Sequence, residues 1–149
     1  MQQQVTPFLW FNGNLEEAIQ FYSSIFKDAE ILHEQRMGPG GKLFTATFQL
    51  GGQRFMALDG GPMYSFNPSV SFFVKCVDQK EVDYYWDRLL EGGSESKCGW
   101  LVDKFGLSWQ IIPDALGKNL GNPDPAKAKR SMEAMMKMSK IIVKDLEEA

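Results

Sequence analysis

One histidine, two cysteines and a few carboxylates at the ends of apolar runs are the groups with which this 149-residue chain would do chemistry. His33 would have to serve any Ser-His-Asp triad, yet its neighbours Glu34, Gln35 and Arg36 read as a solvated strand. A single histidine cannot furnish a His-rich transition-metal site. Cys98, ahead of Gly99 and Trp100, would be reactive only with a base or helix N-terminus to lower its pKa. Neither is visible, so a buried structural thiol is expected there, and Cys76 at the end of an apolar strand reads the same way. Asp59 closes an apolar run before Gly60-Gly61, where a turn role is favoured over catalysis. Asp103 opens the sequence Asp103-Lys-Phe-Gly106 and reads as a turn former. Gly38-Pro-Gly-Gly41 joins two strands instead of preceding a helix, so it lacks the dipole that makes a phosphate loop.

The secondary structure around these groups repeats. Val5 to Phe11 reads as a short strand, with Pro7 suited to an edge or a strand start. Asn14 and Glu17 then suggest a capping box ahead of a helix whose apolar face is Leu15, Ala18, Ile19, Tyr22, Ile25 and Phe26. Strands are expected over Glu30–Met37, Leu43–Leu50 and Arg54–Asp59, with Gly51-Gly52 as a two-residue hairpin turn. The second half restates this order. Ser69–Val74 reads as a strand, and Asp78 with Glu81 caps a helix faced by Val82, Tyr85, Trp86, Leu89 and Leu90. A short strand near Ser94–Cys98 and a hairpin over Cys98–Pro113 follow. Two β-α-β-β-β modules, about 5–62 and 69–113, are therefore expected as one α+β domain over 1–149, with a helical tail at 122–149. The tail begins at Asn122-Pro-Asp-Pro125 and continues as a Met-rich helix over Ala126–Ser139 and a short helix over Val143–Glu148. Its methionines suit core packing or a homodimer contact.

Composition limits the partners. The formal charge is −3 and Lys and Arg are scattered, which disfavours nucleic acid. No apolar run is long enough for a bilayer, and Met1-Gln-Gln-Gln4 lacks the regions of a signal peptide. Two cysteines form no disulfide framework, so a soluble, reduced, cytoplasmic protein is expected.

Several segments carry a family resemblance: TPFLWFNGNLEEAIQFY at 6–22, FQLGGQRFMALDGGP at 48–62, SFFVKCVDQKEVDYYWDRL at 71–89, CGWLVDKFGLSWQIIP at 98–113 and NPDPAKA at 122–128. With them the chain resembles the PhnB-like proteins of the glyoxalase / bleomycin-resistance / extradiol-dioxygenase (vicinal oxygen chelate) superfamily, a branch often labelled 3-demethylubiquinone-9 3-methyltransferase. The resemblance implies paired β-α-β-β-β modules around cupped sheets. It also implies a divalent metal held by four inward strand residues, usually His and Glu. Those positions fall here within Val5 to Pro7, at Asp59 or a neighbour, at Ser69 and at Gln110, a set too weak for a tight metal site. A methyl donor would need a Gly-rich strand-to-helix turn, and none is visible. We therefore expect no cofactor and a small-molecule ligand pocket. Trp10, Phe73 and Trp100 would provide stacking surface and Ser69, Ser71, Ser108 and Gln110 hydrogen bonds, with Asp59 nearby. Alternation places Ser69, Ser71 and Phe73 on one strand face, and Ser108, Gln110 and Ile112 on one face of theirs. The rival is a metal-assisted lyase, isomerase or dioxygenase using Asp59 and Gln110.

Overall fold

Apolar residues recurring every second position in the strands and every third or fourth in the helices fold this chain into two units of the same plan. The computed structural model describes residues 3–149, so Met1 and Gln2 of the polar N-terminal stretch lie outside it. The first unit, Met1–Phe66, contains β1 (Phe8–Phe11), α1 (Leu15–Ile25), β2 (Glu30–Arg36), β3 (Leu43–Leu50) and β4 (Gln53–Asp59). The second, Asn67–Ala149, contains β5 (Ser71–Cys76), α2 (Gln79–Leu90), β6 (Ser94–Glu95), β7 (Trp100–Val102) and β8 (Ser108–Pro113). Three tail helices complete it: α3 (Asp114–Leu120), α4 (Pro125–Met136) and α5 (Val143–Glu147).

The sheet orders match term by term. The first is β1-β4-β3-β2 and the second β5-β8-β7-β6, each with its first pair parallel and the others antiparallel. This is the α+β paired-module architecture that the internal repeat implies. In the first unit α1 buries Leu15, Ala18, Ile19, Tyr22 and Ile25 against β3 and β4. In the second, α2 buries Val82, Trp86 and Leu89 against β5, β7 and β8.

The two helix starts differ. Asp78 is extended (φ −152°, ψ −179°) and accepts from the Glu81 N–H at 3.0 Å, while Glu81 accepts from the Val77 N–H at 2.8 Å. Asn14 (φ −132°, ψ 23°) makes no capping bond, and its Oδ1 is buried without a partner, so the expected box is absent from α1. Strand limits shift as well: β1 starts at Phe8 instead of Val5, β5 runs Ser71–Cys76 instead of 69–74, and β6 stops at Glu95. The Met-rich helix ends at Met136, and α3 stands where no helix is expected from sequence. Gly51 and Gly52 both have positive φ, as a two-residue hairpin turn requires, and the Asp28 carboxylate accepts from both their N–H groups at 2.7 Å.

Cys76 lies fully buried at the end of β5. Burial, with the carboxylates of Glu81, Asp114 and Asp78, pushes its thiol up to about 12. The folded state therefore holds this proton more tightly than the unfolded chain, and the stability it contributes is lost as pH rises from the ordinary thiol range toward 12. Iodoacetamide at about pH 8 is expected to leave Cys76 unmodified in the folded protein, as peptide mass mapping would read. Rapid modification under native conditions would contradict it.

Candidate functional site

Strand parity decides which side chains can meet. In the second sheet Phe73 on β5, Gln110 on β8 and Trp100 on β7 are register partners across three strands. Ser71, Ser108 and Val102 form the next row on the same face. The opposite face carries the buried Cys76, Trp109, Ile111 and Leu101 beneath α2. Five of the expected residues thus share one face, the one away from α2.

That face is aromatic and polar but uncharged at its centre. Phe73 is 59% exposed, and Ser71, Trp100 and Gln110 are half-buried. Gln110 Nε2 donates to Ser71 Oγ at 2.9 Å. Ser108 is only 1% exposed and its Oγ has no hydrogen-bond partner. Lys75, also on this face by alternation, has its ammonium 2.8 Å from the Asp114 carboxylate.

The hairpin beneath it is held by Asp103. Its Oδ1 accepts from the N–H groups of Phe105 at 2.8 Å and Leu107 at 3.1 Å, and Oδ2 accepts from the Trp109 indole at 2.9 Å. Trp100 is positioned from its other side by the tail. Cys98 (φ 58°) and Gly99 (φ 85°) form the turn before Trp100, and their N–H groups donate to Met138 O at 2.9 Å and Ser139 O at 2.8 Å. Ile141 is packed with Ile112, Leu116, Met138 and Leu146 in a buried cluster. Gln79 grips the strap beyond it, donating to Ile141 O at 3.0 Å and accepting from Val143 N at 2.7 Å. The Gln79 amide, with Lys140 at 3.1 Å, also holds Asp83 below the usual carboxylate range. Sequence reasoning missed Gln79 and Ile141 because both act across long chain separations.

The remaining expected residues sit elsewhere. Ser69 lies outside β5 in a turn, where it is exposed and bonded to Asn67 Oδ1 through both N–H and Oγ. It therefore does not extend the Ser71–Phe73 row. Trp10 lies on the helix-free face of the first sheet, opposite Leu58 in register, and its indole donates to Gly61 O at 2.8 Å. Asp59, paired in register with Phe11, shares the face of Phe55 and Ala57 toward α1. Its side chain is 6% exposed; Oδ1 accepts from the Gly13 N–H and Oδ2 lies 3.3 Å from the Lys42 ammonium. It borders a cleft of about 460 Å³ with Lys42, Phe44 and Met37. His33 is exposed on β2.

The donors do not fit the divalent metal that the superfamily implies. The second sheet's face offers two hydroxyls and one carboxamide, with no imidazole, thiolate or carboxylate among them, and among the described residues no three His, Cys, Asp or Glu side chains converge. A methyl donor fits no better. At the β1–α1 junction the Gly13 N–H is taken by Asp59, at β5–α2 the Val77 and Glu81 N–H groups are taken within the cap, and β8 runs into α3 through Pro113, which has no N–H. Among the described residues no helix is long and apolar enough to cross a membrane.

Comparison with known proteins adds the relationships. The model of the family described as 3-demethylubiquinone-9 3-methyltransferase matches residues 3–112. A Bacillus cereus structure described as a putative 3-demethylubiquinone-9 3-methyltransferase, PhnB protein, is 35% identical with a TM-score of 0.69, covering 74% of this chain and 99% of that one. Protein PA1353 from Pseudomonas aeruginosa is 24% identical, TM-score 0.60, over 72% of this chain and 95% of its own. The fosfomycin resistance protein FosX from Mesorhizobium loti shares the fold at 16% identity and TM-score 0.55, over 81% of this chain and 100% of its own. No curated protein matches the chain.

Proposed function

Since the chain belongs to the 3-demethylubiquinone-9 3-methyltransferase family, whose PhnB-like members have the vicinal oxygen chelate fold, we propose that it binds a small organic molecule on the face of its second sheet away from α2, without a tightly held metal. The observation that carries this reading is the Phe73–Gln110–Trp100 row with Ser71 and Ser108 beside it. Stacking surface next to neutral hydrogen-bonding groups is what a metabolite pocket needs for affinity and orientation. Ligand contact there would proceed through Trp100 and Phe73, with Ser71 and Gln110 fixing the edge of the molecule. The domain is read as one glyoxalase-like unit of two modules, working in the cytoplasm as a homodimer. Methyl transfer is not proposed, because the strand-to-helix junctions do not fit a donor.

A screen of uncharged aromatic and heteroaromatic fragments tests the reading through tryptophan fluorescence and melting temperature. Hits are expected to raise the melting temperature, by an amount set by ligand excess over Kd, and to lose that effect in Trp100→Ala. Elemental analysis of the purified protein is expected to show no stoichiometric manganese or zinc. Hits indifferent to Trp100→Ala, no hits at all, or one bound divalent ion per chain would overturn it.

A further inference from the structure

With the face of the second sheet away from α2 taken as the ligand site, a reading on which the ligand class below depends, the hydrogen bond inside that face specifies more than a binding surface. Gln110 Nε2 spends a donor on Ser71 Oγ, which as an acceptor keeps its own proton for a ligand. Gln110 Oε1 is left as the matching acceptor. The pair therefore presents one donor and one acceptor side by side. Ser71 and Ser108 face each other in register on strands about 4.8 Å apart, so the buried, unpartnered Ser108 Oγ lies in the next position along the same face. No free charge accompanies them: among the face residues of β5, β7 and β8 the one ionised side chain, Lys75, is paired with Asp114.

A carboxylate or phosphate placed here would shed water and meet neutral groups, one of them an acceptor that repels it, beside an ammonium already paired with Asp114. A neutral planar group carrying an N–H beside a C=O would satisfy both members of the pair while its ring lies on Trp100. We propose that the site is selective for uncharged planar amides or lactams, with Gln110 and Ser71 as the specificity-determining pair and Ser108 the third polar contact.

Benzamide and benzoate separate this from charge-driven binding, since they share a ring and differ at the edge. Titrations followed by ¹⁹F NMR of protein labelled with 5-fluorotryptophan, with Trp100 assigned through Trp100→Phe, read occupancy at the face itself. Benzamide is expected to bind at least about tenfold more tightly than benzoate, and to weaken about tenfold in Gln110→Glu, which replaces a donor–acceptor amide by an acceptor-only carboxylate. Ser108→Ala is expected to weaken it several-fold without altering the preference. Benzoate binding as tightly as benzamide, or an unchanged affinity in Gln110→Glu, would sink the ligand class. So would a fragment from the broader screen that moves the Trp100 resonance while benzamide does not; in that case the face reading stands. Benzamide binding that leaves Trp100 unmoved removes the face reading itself.

Discussion

Asp103→Ala is expected to lower the melting temperature by on the order of 10 °C, with loss of about 3–5 kcal/mol. Asp103 is 3% exposed, and three donors converge on its two oxygens: the N–H groups of Phe105 and Leu107 and the Trp109 indole. Alanine leaves these donors facing a void that water reaches poorly, so the desolvation cost of each is felt instead of only the net value of a hydrogen bond. Asp103→Asn separates the contributions. Its remaining oxygen can serve the two backbone donors, but its NH₂ then faces the Trp109 N–H, so roughly half the loss is expected. The effect should reach the ligand face, because the turn that Asp103 closes fixes the pairing of β7 with β8, and that register aligns Trp100 with Gln110. Circular dichroism melts of both variants, with benzamide titration at low temperature, provide the check. Melting of Asp103→Ala within about 2 °C of the parent protein, a shift worth less than about 1 kcal/mol, would show that the carboxylate is not what holds the hairpin.

How much of this could be read from the sequence varies with the range of the forces involved. The α1 periodicity through Leu15, Ile19, Tyr22 and Ile25 is local, and the structure buries each of these side chains. The α2 cap is equally local, and Asp78 performs it because its backbone is extended; the same pattern at Asn14 fails because ψ is near 23° there. Pairing of Ser71, Phe73, Ser108 and Gln110 on common faces follows from parity alone. The same parity, counted from Phe55 and Ala57, places Asp59 toward α1, a count obscured because Asp59 ends its strand. Ser69 leaves the row because Pro68 and the Asn67 side chain turn the chain before β5 begins. Helix α3 gives no periodic signal, with Leu116 its one buried residue and Gly117 in its middle. The tail contacts are not legible at all, since they depend on which distant backbone the strap meets.

Those tail contacts make Ile141→Ala the second variant with a large expected effect, about 3 kcal/mol of destabilisation for a buried aliphatic truncated in a packed cluster. Ile141 is 0% exposed, and a Cβ at Gly99 would lie 3.0 Å from its Cγ1 and 2.8 Å from Ile112 Cδ1. The close approach explains why glycine stands at position 99 in addition to its φ of 85°. Removing the Ile141 side chain should therefore loosen more than its own cavity. The Cys98 and Gly99 amides donate to Met138 and Ser139 on the same strap, so their hydrogen exchange should accelerate while exchange in α1 stays unchanged. Gly99→Ala alone should destabilise by a comparable amount, through both the crowded Cβ and the positive φ. Combined with Ile141→Ala it should cost less than the sum, because the truncation vacates part of the space that the new methyl needs. The backbone penalty persists in the double variant, so compensation should be partial. Additive losses, with unaltered exchange at Cys98 and Gly99, would mean that the tail packs on Ile112 without holding the turn that carries Trp100.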